Sequence, residues 1–397
     1  MKRQLFWLTS SRLLGTVLQG ATLLIFLRVA SVAQIGVVGI VTSISVFAAS
    51  LFSLGVGRFI ATSQARGDRP AVSAGLALNQ LSTVALVVVG LIGLLLSRLT
   101  VDLLIPMCLL WVALAIEKNL EVSLEQAFAR QENVLPTVVT MVRRTLTLLL
   151  VLVGLWLFER EALWVYVLAL LVGNSIGSAL VHGSLARQMG RLDRRLASLK
   201  RALLNSRHFY VADLSNQAAS LDSFFVGLFG GTAQAAYYSS ATRLVNPLRL
   251  LPVTIGTVLL PFAARSSLRQ VRKAVRQVAA VMIALELAVL LSMPLLPELV
   301  PLVLGEHLRE STWIFGLALA GLPVWGLAQA LTSMLQGIAD VRFVAITSLA
   351  TGVASVLGFC VGGALAGAFG VAVTVLAVSV SRLATLAIRF IRLSRNE

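Results

Sequence analysis

Residues 73–96 read SAGLALNQLSTVALVVVGLIGLLL, twenty-four positions without a charged side chain. As an α-helix this run is about 36 Å long, more than the ~30 Å of hydrocarbon in a bilayer. It is too long and too continuous for the alternating pattern of a barrel strand. Runs of the same kind recur along the whole chain. They place twelve spans near 11–31, 37–57, 73–96, 103–117, 136–157, 162–182, 209–229, 235–261, 278–297, 313–335, 344–366 and 371–391. The expected fold is an all-α polytopic membrane protein of about twelve transmembrane helices.

Composition agrees with that reading. The 397 residues are 58% hydrophobic and 13% charged, whereas a soluble domain is roughly 25% charged. A soluble enzyme, a disordered chain and a secreted disulfide scaffold are excluded. Cys108 and Cys360 both lie in apolar runs and read as small core residues. The basic start Met1-Lys2-Arg3 leads into a segment as long as a span, without a small-residue cleavage site, so it reads as a retained first helix.

The 33 basic residues exceed the 17 acidic ones. Basic residues collect on the cytoplasmic side of membrane proteins. With both termini in the cytoplasm, twenty-four of them, Lys118 included, fall on that side, three on the far side and six inside spans. They face anionic lipid headgroups, and no soluble basic module is left for nucleic acid. The expected location is a membrane crossed many times, with both termini in the cytoplasm. The longest far-side loop, about 297–312, carries Glu298, Glu306 and Glu310.

The most basic stretch divides the chain near its midpoint. Residues 1–190 form an expected N-lobe of six spans and 208–397 a C-lobe of six. Residues 191–207 form a linker with an Arg/Leu pattern suited to a helix lying on the membrane surface. Val32-Ala33-Gln34-Ile35 matches Thr232-Ala233-Gln234-Ala235 at an offset of 200, and Arg69 matches Arg269. These identities and the equal span counts favour duplication into two parallel repeats around a central cavity.

Charged and polar groups inside spans mark functional candidates. Asp213, Asn216, Gln217 and Ser220 stand at i, i+3, i+4 and i+7, one helix face. Asp222 is about 180° round from Asp213; it reads either as a structural ion pair or as an ion-coupling group. In span 8, Ser239, Arg243 and Asn246 share a face, and Pro247 and Pro252 break or bend the helix. The guanidinium fork of Arg243 suits phosphate, with a salt bridge to Asp213 or Asp222 as the alternative. Arg249 reads as a second phosphate ligand or as a snorkelling side chain. Span 1 offers Arg12, Thr16 and Gln19 on one face, with Arg28 near the far end. Span 10 offers Trp325, Gln329, Ser333 and Gln336. Glu286 lies mid-span, as a proton- or sodium-coupling site or a hydrogen-bonded structural carboxyl. Gly358, Gly362, Gly363 and Gly367 in span 11 have the spacing that lets helix backbones approach closely.

No phosphate loop of the Walker kind, His/Cys metal cluster or Ser–His–Asp set is present in the sequence. No cofactor is expected beyond a proton or sodium gradient.

Several segments resemble a known family. They are Leu27-Arg28-Val29-Ala30 leading through Ala33-Gln34-Ile35-Gly36, Ser53-Leu54-Gly55-Val56-Gly57-Arg58, and Leu221-Asp222-Ser223-Phe224-Phe225-Val226-Gly227. The last continues into Ala236-Tyr237-Tyr238-Ser239-Ser240-Ala241-Thr242-Arg243-Leu244, Pro247-Leu248 and Leu259-Leu260-Pro261. The resemblance is to Wzx-type lipid-linked oligosaccharide flippases of the multidrug/oligosaccharidyl-lipid/polysaccharide exporter superfamily. It implies two six-helix lobes in a V around a cationic cavity. It also implies movement of undecaprenyl-pyrophosphate-linked sugar units to the periplasmic leaflet by alternating access, alongside polysaccharide assembly proteins. Asp222, Tyr237 and Arg243 are the residues at its motif positions. The absence of spans 13 and 14 points away from the lipid II flippase branch. The chain is thus expected to be a transporter and not an enzyme. The rivals are a cation-coupled drug antiporter, a membrane glycan polymerase or glycosyltransferase using the acidic 297–312 loop, and a scaffold without transport.

Overall fold

The computed structural model describes residues 2–97, 99–130, 132, 134–158, 161–189, 192–249, 252, 256, 259, 262–263, 266–338 and 340–395. Side chains at 2–12, 65, 128–129, 186–189, 208–209, 211–213, 215–216, 341 and 394–395 lie outside that description. The described residues are helical almost throughout and contain no strand. Seven helical stretches are long and apolar enough to cross a membrane, and one of them, Arg342–Leu393, folds back on itself to give two crossing lengths. The protein is a multi-pass membrane protein.

Two compact units divide the chain. The first, residues 1–34 and 41–220, contains α1 (Lys2–Val29), most of α2 (Val32–Leu51), α3 (Val56–Ala65), α4 (Arg69–Leu95), α5 (Val101–Ala129), α6 (Val134–Leu157), α7 (Ala162–Met189) and α8 (Leu196–Gln217). Helix α7 packs on α5 and α6, and α3 on α4 and α5. Gly90 of α4 admits the Trp111 ring, whose Nε1 donates to the Leu86 carbonyl at 3.0 Å. A Cβ at Gly90 would fall inside that ring.

The second unit, residues 35–40 and 221–397, contains α9 (Asp222–Val245), α10 (Leu268–Ser292), α11 (Leu296–Leu304), α12 (Thr312–Gly337) and α13 (Val341–Arg395). Two of these are helical hairpins. Helix α9 turns at Gly231, whose φ of 77° glycine adopts without a Cβ penalty. Helix α13 turns at Ala366–Gly367, so the expected break between spans 11 and 12 is found. The glycine spacing works as read from the sequence. A Cβ at Gly362 would stand 2.6 Å from the Gly370 carbonyl oxygen of the returning arm. Gln234, one residue of the repeated quartet, accepts the Ala368 N–H at 2.8 Å and so caps that arm. Its counterpart Gln34 completes a capping box with Ser31 on its own helix.

The repeat offset also holds in the backbone. The break between α1 and α2 at 30–31 matches the turn at Gly231, and the start of α4 at Arg69 matches that of α10 at Leu268.

Three expectations are corrected. The fourth span does not end near 117: α5 runs on to Ala129, which places Lys118 inside a packed helix instead of a cytoplasmic loop. The linker expected over 191–207 is not a helix separate from span 7. Helix α8 continues from Leu196 to Gln217, with Ala202 and Ser206 buried and Ala202 packed on Phe59 and Ala74. Ahead of it, the Ser198 hydroxyl and then the Arg195 N–H hold the Asp193 carboxyl below its ordinary range. Span 7 is interrupted by a 3-10 turn at Ala218–Leu221, so Ser220 leaves the helix face it was expected to share with Asp213. The far-side segment near 297–312 is largely helical, with Leu296, Val300, Leu304 and Leu308 buried along one side.

Candidate functional site

The polar interior of the first unit is built on α5. Glu117, Glu121 and Glu125 recur every fourth residue and so share one face. An unpaired carboxylate there would be costly. Helix α6 supplies the counter-charges. Glu117 accepts from Arg144 Nη2 at 2.8 Å and from Arg143 Nη1 at 3.3 Å, and Arg143 Nη2 donates to Glu121. The Arg143 side chain is only 3% exposed.

Lys118 points to the other neighbour, α4. Its Nζ donates to Asn79 Oδ1 at 2.9 Å, Ser82 Oγ at 3.0 Å, Thr83 Oγ1 at 3.3 Å and the Phe52 carbonyl at 3.5 Å. Asn79 Nδ2 donates to Asn119 Oδ1 at 2.6 Å, and Asn119 Nδ2 meets His182 Nε2 at 3.2 Å. The Ser178 carbonyl, 2.8 Å from His182 Nδ1, can only accept. The proton of this imidazole therefore sits on Nδ1, and Nε2 accepts from Asn119.

Glu117, Lys118, Glu121 and Glu125 open onto a cavity of about 490 Å³. Its walls carry Arg58, Glu117, Lys118, Glu121 and Glu125, the hydroxyls of Ser45, Ser50 and Ser53, and Gln217. Such a volume lies in the range of small-molecule sites. Its electrostatics are mixed.

Of the residues expected to bind substrate, Gln217 is the one that lines this cavity among the described residues. Gln19 and Arg28 are exposed on α1, Arg28 in its last turn. The Ser220 hydroxyl turns back to the Gln217 carbonyl, and the Ser220 carbonyl accepts from Ser43. The side chains of Asp213 and Asn216, like that of Arg12, lie outside the described residues.

The remaining candidates sit in the second unit. The Arg243 guanidinium donates to the carbonyls of Val38 and Gly39 at 3.2 and 3.3 Å. Ser239, on the same face, is buried where Gly39 leaves no room for a Cβ. This face therefore covers residues 35–40, and Asn246, at its end, is exposed. Arg243 forms no salt bridge to Asp222, which accepts from the Tyr238 hydroxyl at 3.0 Å and from Ser223 N at 2.6 Å. The motif neighbour Tyr237 packs into the apolar cluster instead. Asn246–Arg249 is a 3-10 turn, the break expected at Pro247. Arg249 lies 5.5 Å from the Trp325 ring, a cation–π contact. Gln329 is half-buried on α12. Glu286 Oε2 is buried without a hydrogen-bond partner among the described residues.

The cluster of Glu117, Lys118, Glu121 and Glu125 was missed in the sequence. Its signal was the four-residue carboxylate spacing running past the assumed end of span 4, with Arg143 and Arg144 in the next apolar run.

Membrane-length helices with charged and hydroxyl-bearing interior walls define a multi-pass membrane protein, and its fold is similar to that of solved transporters and flippases of the MOP superfamily. An inward-facing multidrug resistance MATE family transporter of the MOP superfamily has a TM-score of 0.71 at 16% identity, over 96% of each chain. The lipid II flippase MurJ, in an inward closed conformation, has a TM-score of 0.74 at 12% identity, over 96% of this chain and 87% of its own. A MOP superfamily transporter from Pyrococcus furiosus, noted for reverse polarity of its binding pocket, has a TM-score of 0.65 at 15% identity, over 99% and 96%. At these identities the likeness is one of fold. The sequence profile of the family described as "Polysaccharide biosynthesis protein" matches residues 1–267, and the chain belongs to that family. No curated protein matches it by sequence.

Proposed function

We propose that this transporter is a flippase that moves polyprenyl-pyrophosphate-linked oligosaccharide units across the bacterial inner membrane by alternating access. The observation that carries the reading is the 490 Å³ cavity of charges and hydroxyls held by membrane-spanning helices in a polysaccharide biosynthesis protein. A pyrophosphate and its sugars cannot cross hydrocarbon unaided, because each lost hydrogen bond and each bare charge is costly. Serine, glutamine and carboxylate groups replace water around sugar hydroxyls. In the first unit the phosphate charge is met by Lys118, Arg58 and Arg28; Arg243 and Arg249 are the cationic candidates of the second unit, taken by itself. Gln19, Asp213, Asn216, Gln217, Ser220, Asn246 and Gln329 are the polar groups assigned to the sugars.

In this reading both termini are cytoplasmic, as the basic loops require. The partners are anionic lipid and the proteins that extend and export the glycan. Asp222 and Glu286 are the groups assigned to coupling with a proton or sodium gradient.

The test is reconstitution in liposomes with a fluorescent polyprenyl-pyrophosphate glycan in the outer leaflet. Protein-dependent loss of its accessibility to an external quencher is expected. Export of a cationic drug without glycan movement overturns the reading. That outcome would favour the cation-coupled antiporter, to which the exposed carboxylates of Glu121 and Glu125 in the cavity correspond.

A further inference from the structure

The acidic segment near 297–312 has no part in the flippase reading, and it borders a cavity of about 210 Å³ within the second unit. Helix α12 begins beside this cavity at Thr312 and runs 26 residues to Gly337. At 1.5 Å per residue that is about 39 Å, against ~30 Å of hydrocarbon in a bilayer. The start of α12 therefore lies close to one surface of the membrane, and the cavity with it. The surroundings agree: Leu291, Leu302 and Trp313 are 80%, 67% and 76% exposed. Apolar side chains so exposed face lipid, and tryptophan collects at the headgroup level.

The interior of the cavity is apolar. Met293, Leu296 and Pro297 line one side, and Trp313 and Gly316 the other. Gly316 leaves the space open, since a Cβ there would come 3.4 Å from Leu296. The volume is below that of a site for a drug-sized ligand and suits a length of one acyl chain. Among the described residues the charged group on its wall is Arg309. The turn that carries Arg309 is anchored: Leu308 and Ser311 are buried, and the Thr312 hydroxyl donates to the Arg309 carbonyl at 2.6 Å. The Arg309 side chain is 68% exposed, and its Nη1 stands 3.8 Å from Glu306 Oε2, beyond hydrogen-bond distance. So open a pair is worth little by itself, and both groups can take other partners. Glu298, Glu306 and Glu310 are exposed and outnumber Arg309 in this segment, which disfavours a lipid of net negative charge.

We propose that this cavity is a site for a zwitterionic aminophospholipid. The lipid phosphate takes the Arg309 guanidinium, the ammonium takes the Glu306 carboxylate, and one acyl chain enters between Leu296 and Trp313. The headgroup thus replaces one loose ion pair by two. Such a site is independent of what the protein transports.

The test uses the full chain in liposomes and the emission of Trp313, obtained as wild type minus Trp313→Phe. Phospholipids brominated on an acyl chain quench a tryptophan that they touch. Brominated phosphatidylethanolamine should half-quench Trp313 at a mole fraction about threefold lower than brominated phosphatidylglycerol with the same chains, the scale of exposed ion pairs. Arg309→Gln should raise the ethanolamine lipid's half-quenching fraction about threefold, and Glu306→Gln should at least halve its advantage over phosphatidylglycerol. Both side chains are exposed, so neither change burdens the fold.

Equal quenching by the two lipids would mean contact with bulk lipid only and overturns the proposal. Stronger quenching by phosphatidylglycerol, the mark of an anionic-lipid site, overturns it too. So does displacement of the brominated lipid by a polyprenyl phosphate at a lower mole fraction than by unbrominated phosphatidylethanolamine. A preference that both variants retain, at wild-type helix content, has the same consequence.

Discussion

Replacing Glu117 by glutamine tests whether the α5–α6 charge cluster holds the first unit together. The side chain is nearly isosteric, so packing is conserved and only the charge is removed. Glu117 is 19% exposed and binds two arginines that are 3% and 11% exposed. Breaking a buried pair by removing one partner costs about 3–5 kcal/mol, because the other charge is left without compensation. Arg143 retains Glu121, so the loss should fall at the lower end, about 3 kcal/mol. Arg144 has no second carboxylate at hydrogen-bond distance among those described, so it is the charge left exposed to the penalty. Replacing it as well, in the double variant Glu117→Gln/Arg144→Met, should recover ~1 kcal/mol or more relative to the sum of the two single losses. Unfolding by SDS in mixed micelles reads these free energies. A single-variant loss below about 1 kcal/mol, or strictly additive losses in the double variant, would refute the idea that this pairing is buried and coupled.

Three further outcomes follow from packing and capping. Gly362→Leu should drive the two arms of α13 apart at the Gly370 carbonyl and cost about 2 kcal/mol or more, seen as a lowered thermal midpoint in detergent. Gln234→Leu removes the acceptor of the Ala368 N–H and should cost ~1 kcal/mol, with faster amide exchange confined to the start of the returning arm. Tyr238→Phe leaves the Asp222 carboxyl with Ser223 alone and should cost about 1–3 kcal/mol, with no matching loss when the neighbouring Tyr237 is changed to Phe.

Part of the site was legible in sequence, and part was hidden by one boundary. The glycines of span 11, the break at Pro247 and the repeated glutamine all have local causes, and each is found where the pattern put it. The α5 cluster was lost because a carboxylate followed by a lysine reads as the end of a membrane span. Only the arginines of α6, folded alongside, make it affordable for α5 to continue to Ala129. For Arg243, a phosphate fork or a salt-bridge partner by sequence, a linear pattern cannot show that Gly36 and Gly39 bring the carbonyls of α2 within its reach. Asp222 has the hydroxyl of Tyr238 as its partner, brought near by the turn at Gly231, which no helical-wheel angle from Asp213 contains.

The sequence by itself determined that the chain lives in a membrane and is helical. Those properties follow from hydrophobic length and periodicity, which each segment carries alone. Which charges neutralise one another was decided only in the folded protein. Pairing depends on distances of a few ångströms between helices that are far apart in the chain, and hydropathy contains no record of those distances.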